Sequence, residues 1–410
     1  MNQLSVMFIA GEPSGDALAA ELVRALRASP RVKAMSYAPV FFGAGGPQMA
    51  QSGVQIDTDM MPHAVVGLLE VASKLVRFKR IFDRLLDLAF ARQPDVIVLV
   101  DFSDFNHRFA HAVRRRLNHG AHLFSNWRPR IVKYVSPQVW ASRPGRAYTM
   151  AQDLDLLLCL YAFEPGWYAQ RVPSLRVEFV GHPLVERFAL PSNGAPAGPQ
   201  GISVSSTPTN TPLVLLLPGS RVREVRAHLP VMIAAARRLG AQASGSDGAE
   251  PALRPRWRVV LPNESLSRLA HGLVGTSPGI DMSIQIGGLE SSLAEARLAI
   301  AASGTVTIEC AWLRVPAVVI YKTSWFTYLI ARQIANVDYV AMPNLLAGGP
   351  VYPELLQGAA TPENIADSAL SLLTDERRRE DVRVQLDRVL KALGEPGASN
   401  RAAQAILSLV

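Results

Sequence analysis

The chain has 410 residues, too many for one ordinary domain and enough for two or three. Hydrophobic residues at 49% against 19% charged exclude disorder throughout, and 42 Lys plus Arg against 34 Asp plus Glu leave +8, which favours a nucleic acid, a nucleotide or an anionic membrane surface as partner. No apolar run approaches the roughly 18 residues that cross a bilayer, and Cys159 and Cys310 lie in apolar surroundings without CxxC spacing, as buried thiols in a reducing compartment do.

The opening MNQLSVMFIAGEPSGD has no basic start and runs from an apolar segment straight into a glycine loop, so it reads as a first strand and not as a secretory signal. Apolar runs at 6–10, 95–100, 131–135, 155–160 and 176–180 each end in Gly, Pro, Ser or Asp, with helical periodicity between them. That alternation predicts an α/β fold, a parallel sheet with helices on both faces. In AGEPSGD (10–16), Ser14, Gly15 and Asp16 either let backbone N–H groups face an anion or sugar, or make a tight turn with Ser14 or Asp16 capping the helix that follows. FFGAGGPQM (41–49) supplies Gly43 and Gly45 of a dinucleotide fingerprint but Gln48 at the third glycine, so no nicotinamide site is expected.

The stretch 65–90 is amphipathic and basic. It suits an anionic bilayer, with Val66, Leu68, Leu69, Val76 and Phe78 on the apolar side and Arg77, Lys79 and Arg80 at the headgroups; a helix packed on the sheet with a solvated basic face fits equally. IVLVDFSDFN (97–106) ends a buried run in Asp101 and Asp104. Either these carboxylates shape the turn after a strand, or one is held at the strand end to do chemistry. Metal patterns fit poorly: HRFAH has Arg108 where a metalloprotease carries Glu, and the DxD triplets at 57–59 and 153–155 are badly placed relative to strands.

Residues 191–212, almost all Pro, Gly, Ser, Thr, Ala or Asn, cannot pack a core and read as a linker. A second alternation follows, with strands at 213–220, 257–262, 282–286, 298–304 and 316–322 and a polar surface loop at 243–256. In LLLPGSRVREV a strand ends at Pro218-Gly219-Ser220 and Arg221, Arg223 and Glu224 open a helix. A guanidinium beside free helix N–H groups suits a diphosphate; a solvated basic helix start has the same composition. In AASGTVTIECA, Ser303, Gly304 and Thr305 offer close backbone approach and hydroxyls to phosphate oxygens, and Glu309, one turn inward, could hold a ribose. The expected organisation is a Rossmann-like domain at 1–190, a linker at 191–212, a second such domain at 213–375, and C-terminal helices at 376–410 that pack on the first domain or on another chain. Such a pair leaves a cleft at the carboxyl ends of two sheets, where open α/β sheets bind ligands.

AGEPSGD, GGPQM, DFSDFN, YVSPQVWASR, FVGHPL, LLLPGSR, ASGTVTIECA and DYVAMPNLLAG, in this order over nearly the whole chain, resemble the lipid-A-disaccharide synthase family of GT-B glycosyltransferases. The resemblance implies inverting, metal-independent and cofactor-free transfer of 2,3-diacylglucosamine from UDP to the 6′-hydroxyl of 2,3-diacylglucosamine 1-phosphate. It implies an enzyme of lipid A biosynthesis, cytoplasmic and peripheral on the inner membrane of a Gram-negative cell, with a homodimer left open. Asp101 would be the base; Gly219, Ser220, Arg221, Ser303, Gly304 and Thr305 would hold the diphosphate, Glu309 the ribose, and Asn344 would lie near the nucleotide. Ser14, Gly15, Asp16 and Trp140 would belong to the acceptor side. The chain departs from the family pattern at Phe102, Ser103 and Ser142, and 122–130, 191–212 and 243–256 look like insertions. The rival readings are another UDP-sugar GT-B enzyme, such as a peptidoglycan-type transferase or an epimerase, and a non-catalytic nucleotide-sugar or lipid binder. A nucleic-acid binder is unsupported, because the arginines are scattered and no aromatic-basic motif accompanies them.

Overall fold

The computed structural model describes residues 3–60, 71–119, 126–189, 211–243, 253–275, 280, 282–323 and 337–410. The chain forms two compact units, Met1–Glu186 with Leu393–Val410, and Arg187–Ala392. Most of the expected linker lies outside the described residues.

The first unit holds strands β1 (Ser5–Ala10), β2 (Val40–Gly45), β3 (Gln55–Asp59), β4 (Val96–Val100), β5 (Arg130–Tyr134), β6 (Leu156–Cys159) and β7 (Val177–Phe179). They form one parallel sheet in the order β3-β2-β1-β4-β5-β6-β7. β4 is fully buried along its length, as a run of Val, Ile and Leu covered on both faces should be. The chain leaves β1 toward one edge and β4 toward the other, so the carboxyl ends of these two strands are the topological switch point. AGEPSGD and DFSDFN both stand there.

The second unit repeats the plan with β8 (Leu213–Leu217), β9 (Arg256–Leu261), β10 (Met282–Ile286), β11 (Leu298–Ala302), β12 (Ala317–Tyr321) and β13 (Glu354–Leu356). The parallel order is β10-β9-β8-β11-β12-β13, and the switch falls between β8 and β11. The PGSR and ASGT turns therefore come to one place.

FFGAGG is strand β2 itself, not a loop after a strand. Gly43 takes φ +137°, and an ideal Cβ there would lie 2.1 Å from the carbonyl oxygen of Phe8 on β1, so its glycine serves strand packing. The C-terminal helices do not travel together. Helix Glu376–Ala392 stays with the second unit, burying Val382, Leu386 and Val389 and pairing Asp387 with Arg314 at 2.6 Å. The last helix, Ala398–Leu407, joins the first unit, where Arg31 donates to the carbonyl of Leu407 at 2.5 Å and Arg401 to that of Val180 at 2.8 Å. The change of unit falls between Ala392 and Leu393, and the His182 N–H donates to the Leu393 carbonyl at 2.8 Å. Among the described residues, no helix is long and apolar enough to cross a membrane.

Candidate active site

In the first unit, the site is built on the turn that ends β4. Asp101 and Phe102 both have φ of +45°, two successive non-glycine residues in the left-handed region. Such residues persist only when their surroundings over-determine them. Asp101 N–H still donates to Tyr134 on β5 at 2.9 Å. The side-chain amide of buried Asn106 donates to the carbonyls of Asp101 at 2.8 Å and Val100 at 3.1 Å, with Ile9 at 3.4 Å. Lys133, reaching from β5, donates to the same Asp101 carbonyl. Phe102 lies over Gly11 so closely that an ideal Cβ there would meet its ring at 2.3 Å, and its other neighbours are Phe105 at 5.2 Å and Phe78 at 6.4 Å between ring centroids. The half-buried Asp101 carboxylate is thus aimed by a turn packed from three sides.

Helix Pro13–Ala28 starts beside this turn, with an ideal Gly15 Cβ 3.6 Å from the Val100 carbonyl and 3.7 Å from Asp101 Cβ. Ser14 is exposed. Neither Ser14 nor Asp16 caps this helix, whose N-cap is Glu12. Asp16 instead is buried and accepts the N–H groups of Gly46, Gln48 and Met49 at 2.8, 3.0 and 3.1 Å, capping helix Pro47–Gln51 across the sheet. A carboxylate so engaged fixes the loop that follows β2. Asp104 points away from Asp101's role: it is exposed and pairs with Arg146 at 2.5 Å and Arg143 at 3.8 Å, and the Arg146 bond holds its carboxyl below the usual range. Trp140 is buried and donates its indole N–H to Glu164 at 3.1 Å. Glu164 also accepts the Tyr161 N–H at 3.1 Å, and burial pushes its carboxyl up to about 7.

The second unit presents a different surface at its switch point. Gly219 adopts φ +116°, and Glu224 accepts the N–H groups of Ser220 at 2.9 Å and Arg221 at 3.2 Å. The expectation of free N–H groups at this helix start is therefore corrected, because Glu224 already occupies two of them. Arg221 itself is 72% exposed, 3.8 Å from Glu224. Beneath the loop, His228 bonds the Pro218 carbonyl through Nδ1 at 2.9 Å and accepts the Lys322 N–H at Nε2, 3.0 Å. That pattern fixes a neutral imidazole, and desolvation pushes its pKa below the ordinary value.

Across from it, Gly304 and Thr305 are exposed, and Ser303 donates to the Val340 carbonyl at 3.1 Å. Glu309 is half-buried on helix Val306–Trp312. Asn344, expected beside the nucleotide, is fully buried. Its amide nitrogen donates to Tyr352 and Glu354, both at 2.8 Å, and its oxygen accepts the Tyr352 N–H at 2.7 Å. Glu354 in turn accepts the N–H groups of Val340 and Ala341, each at 2.9 Å. Asn344 thus has its amide nitrogen and oxygen engaged inside the protein, tying its helix to Tyr352 and Glu354.

The family model described as Lipid-A-disaccharide synthetase matches residues 6–409. The chain belongs to the lipid-A-disaccharide synthase family. It is a glycosyltransferase with two Rossmann-like units of the GT-B type. The lipid-A-disaccharide synthase of Myxococcus xanthus is 35% identical over 416 residues, covering 100% of this chain and 98% of that one. Among solved structures, Staphylococcus aureus MnaA with UDP has a TM-score of 0.60 at 13% identity, covering 100% of this chain and 98% of that one. The calicheamicin glycosyltransferase CalG4 has a TM-score of 0.56 at 14%, with the same coverages. At those identities the two structures speak for the fold alone. The family match spans both units.

For a lipid-A-disaccharide synthase the remaining expectations divide. Among the described residues, no group of three or more His, Cys, Asp or Glu could hold a metal. Asp153 faces His111 at 3.3 Å and Asp155 pairs with Arg114 at 2.5 Å, so the second DxD triplet is taken up structurally. Val66, Leu68 and Leu69 lie outside the described residues. On helix Val71–Arg92, Val76, Arg77, Lys79 and Arg80 are exposed, but Phe78 turns inward against Phe102, which corrects its assignment to the lipid side. Sequence reasoning missed Lys133, Glu164, His228 and Glu354. Lys133 alone carried a signal, a lone charge inside the apolar strand IVKYV.

Proposed function

We propose that this chain transfers 2,3-diacylglucosamine from its UDP donor to the 6′-hydroxyl of 2,3-diacylglucosamine 1-phosphate, giving the β-1,6-linked disaccharide 1-phosphate and UDP. The observation that carries the reading is Asp101, a half-buried carboxylate on a left-handed turn at the β1/β4 switch point. Inversion by a single displacement needs a base for the attacking hydroxyl and a counter-charge for the departing diphosphate. Asp101 takes the hydroxyl proton. Arg221, with Gly219, Ser220 and the Ser303-Gly304-Thr305 turn, neutralises the diphosphate in place of a metal, and Glu309 accepts from the ribose hydroxyls. The first unit receives the acceptor near Ser14, Gly15 and Trp140, and the second the nucleotide. The exposed Val76, Arg77, Lys79 and Arg80 bring the enzyme to the anionic cytoplasmic face of the inner membrane, where both lipid substrates reside.

The test is to incubate purified protein with both lipid substrates in detergent and to follow UDP release together with a disaccharide product. UDP release without disaccharide, or neither, would sink the assignment. Chelation by EDTA leaves the rate unchanged on this reading; a rate restored by one added metal would return catalysis to a metal-dependent scheme. Sedimentation with phosphatidylglycerol vesicles, compared with neutral ones, checks the membrane contact: loss of binding in an Arg77→Glu, Arg80→Glu double variant is expected.

A further inference from the structure

The assignment of Asp101 leaves one buried charge without a purpose. Lys133 stands in β5, only 3% exposed, where an ammonium group is costly to hold unless it is paired. Its Nζ donates to the Asp101 carbonyl, the oxygen that Asn106 also grips. The small cavity at its tip is lined by Ser103, Asn106 and His107 from helix Ser103–Asn118 and by Arg146 from helix Arg146–Asp153. His107 is pushed below its ordinary pKa, first by burial, and so is neutral near pH 7. Arg146 and Asp104 neutralise each other at 2.5 Å. Asp101 is then the carboxylate whose charge acts on Lys133: burial pushes the ammonium down to about 8, and Asp101 pulls it back up.

We propose that Lys133 is a positioning residue for the Asp101 carboxylate, fixing the left-handed turn through its carbonyl and with it the direction in which the carboxylate meets the acceptor hydroxyl. The inference rests on Asp101 being the base. In the reaction the new bond from the acceptor oxygen to C1 forms as the C1–O bond to UDP breaks. The hydroxyl proton passes to Asp101, and Lys133 keeps its own protons throughout. A purely structural lysine would behave otherwise: its loss would lower stability and leave the turnover of the folded enzyme in place.

The experiment compares the full chain with Lys133→Met, Lys133→Arg and Asp101→Asn. In Lys133→Met, kcat should fall about tenfold or more with both KM values within about twofold, as a misaimed base slows the chemical step without loosening either substrate. Lys133→Arg, which keeps a charged donor at this position, should recover most of the rate. A folded Lys133→Met with unaltered kcat overturns the proposal. Should the Lys133 variants fail to fold, the six lysines can be titrated by NMR of Cε-labelled protein. One should titrate near 8 and move lower in Asp101→Asn; six titrations near the ordinary value, or one near 8 that ignores Asp101→Asn, overturns it equally. Full turnover in Asp101→Asn would remove the base assignment by itself, and the NMR coupling would still report on Lys133.

Discussion

The turn after β4 and the turn after β8 occupy equivalent switch points in their units and are built in opposite ways. After β4 two non-glycine residues are forced left-handed, at a cost of about 1–3 kcal/mol each. After β8 the same kind of conformation falls to Gly219, for which it costs little. The first turn is gripped from below by Asn106 and Lys133; the second is tied by Glu224 and His228, and leaves Arg221 exposed beside Glu224. A glycine would relax the β4 turn but would remove the side chain it exists to aim. On the proposed mechanism, the difference separates a turn that presents one carboxylate to the acceptor from a loop that presents an exposed cation to the diphosphate.

The comparison breaks most directly at Asp101. Asp101→Asn keeps the shape and removes the base, so kcat should fall by about 100- to 10,000-fold while UDP affinity, measured by calorimetry, stays near that of the unsubstituted chain. Retention of more than a few per cent of the rate would mean the strained turn serves something else. Asp104→Asn, which loses an exposed pair with Arg146, should cost far less. Next in size is Arg221→Ala, where loss of a charge-assisted contact of about 1.5–3 kcal/mol should weaken UDP binding about 10- to 100-fold. Its melting temperature should not move, since the side chain is 72% exposed. Unchanged UDP affinity would take Arg221 out of the site. Asn106→Ala should act mainly on stability. It leaves the Val100 carbonyl without a donor that Asn106 supplies, at about 1–3 kcal/mol, seen as a melting temperature lower by a few degrees and accompanied by a slower kcat. A fall in stability with kcat intact would show that the clamp supports the fold and not the aim of Asp101.

Much of this was legible in the sequence, because a strand end is written in local composition. VIVLV followed by Asp, LVLLL followed by Pro-Gly-Ser, and LAIAA followed by Ser-Gly-Thr each place a polar turn after a buried strand. β2 was hidden because its glycines look like a ligand loop, while they answer the close approach of β1. β3 and β13 sit at sheet edges, half-buried and short, without the apolar run that marks an interior strand. Asp16 and Asn344 were expected to face a ligand, whereas the structure engages both side chains inside the protein, with partners on other segments that no local pattern names. The parting of the last two helices was equally illegible: an apolar stripe records that a face is buried, not which unit buries it.

The two units should also differ in how acid and base affect them. Glu164 in the first unit has a folded pKa of about 7, raised from the usual 4.5. Between those values the folded state binds the extra proton, so the stability this group contributes is complete below about 4.5 and is lost as pH rises through 7. The interval corresponds to about 3 kcal/mol. His228 in the second unit is lowered, so its contribution is complete above the ordinary 6.5 and is lost as pH falls through the depressed value. Calorimetric melting of the full chain from pH 5 to 8 should therefore separate the two effects by variant. Glu164→Gln should match the unsubstituted chain near pH 5 and exceed it near pH 8. The advantage of the unsubstituted chain over His228→Gln should instead shrink as the solution is acidified below 6.5. Differences that stay parallel across this range would mean that neither buried group titrates with folding, and that the Trp140–Glu164 and Pro218–His228 links hold their turns by shape alone.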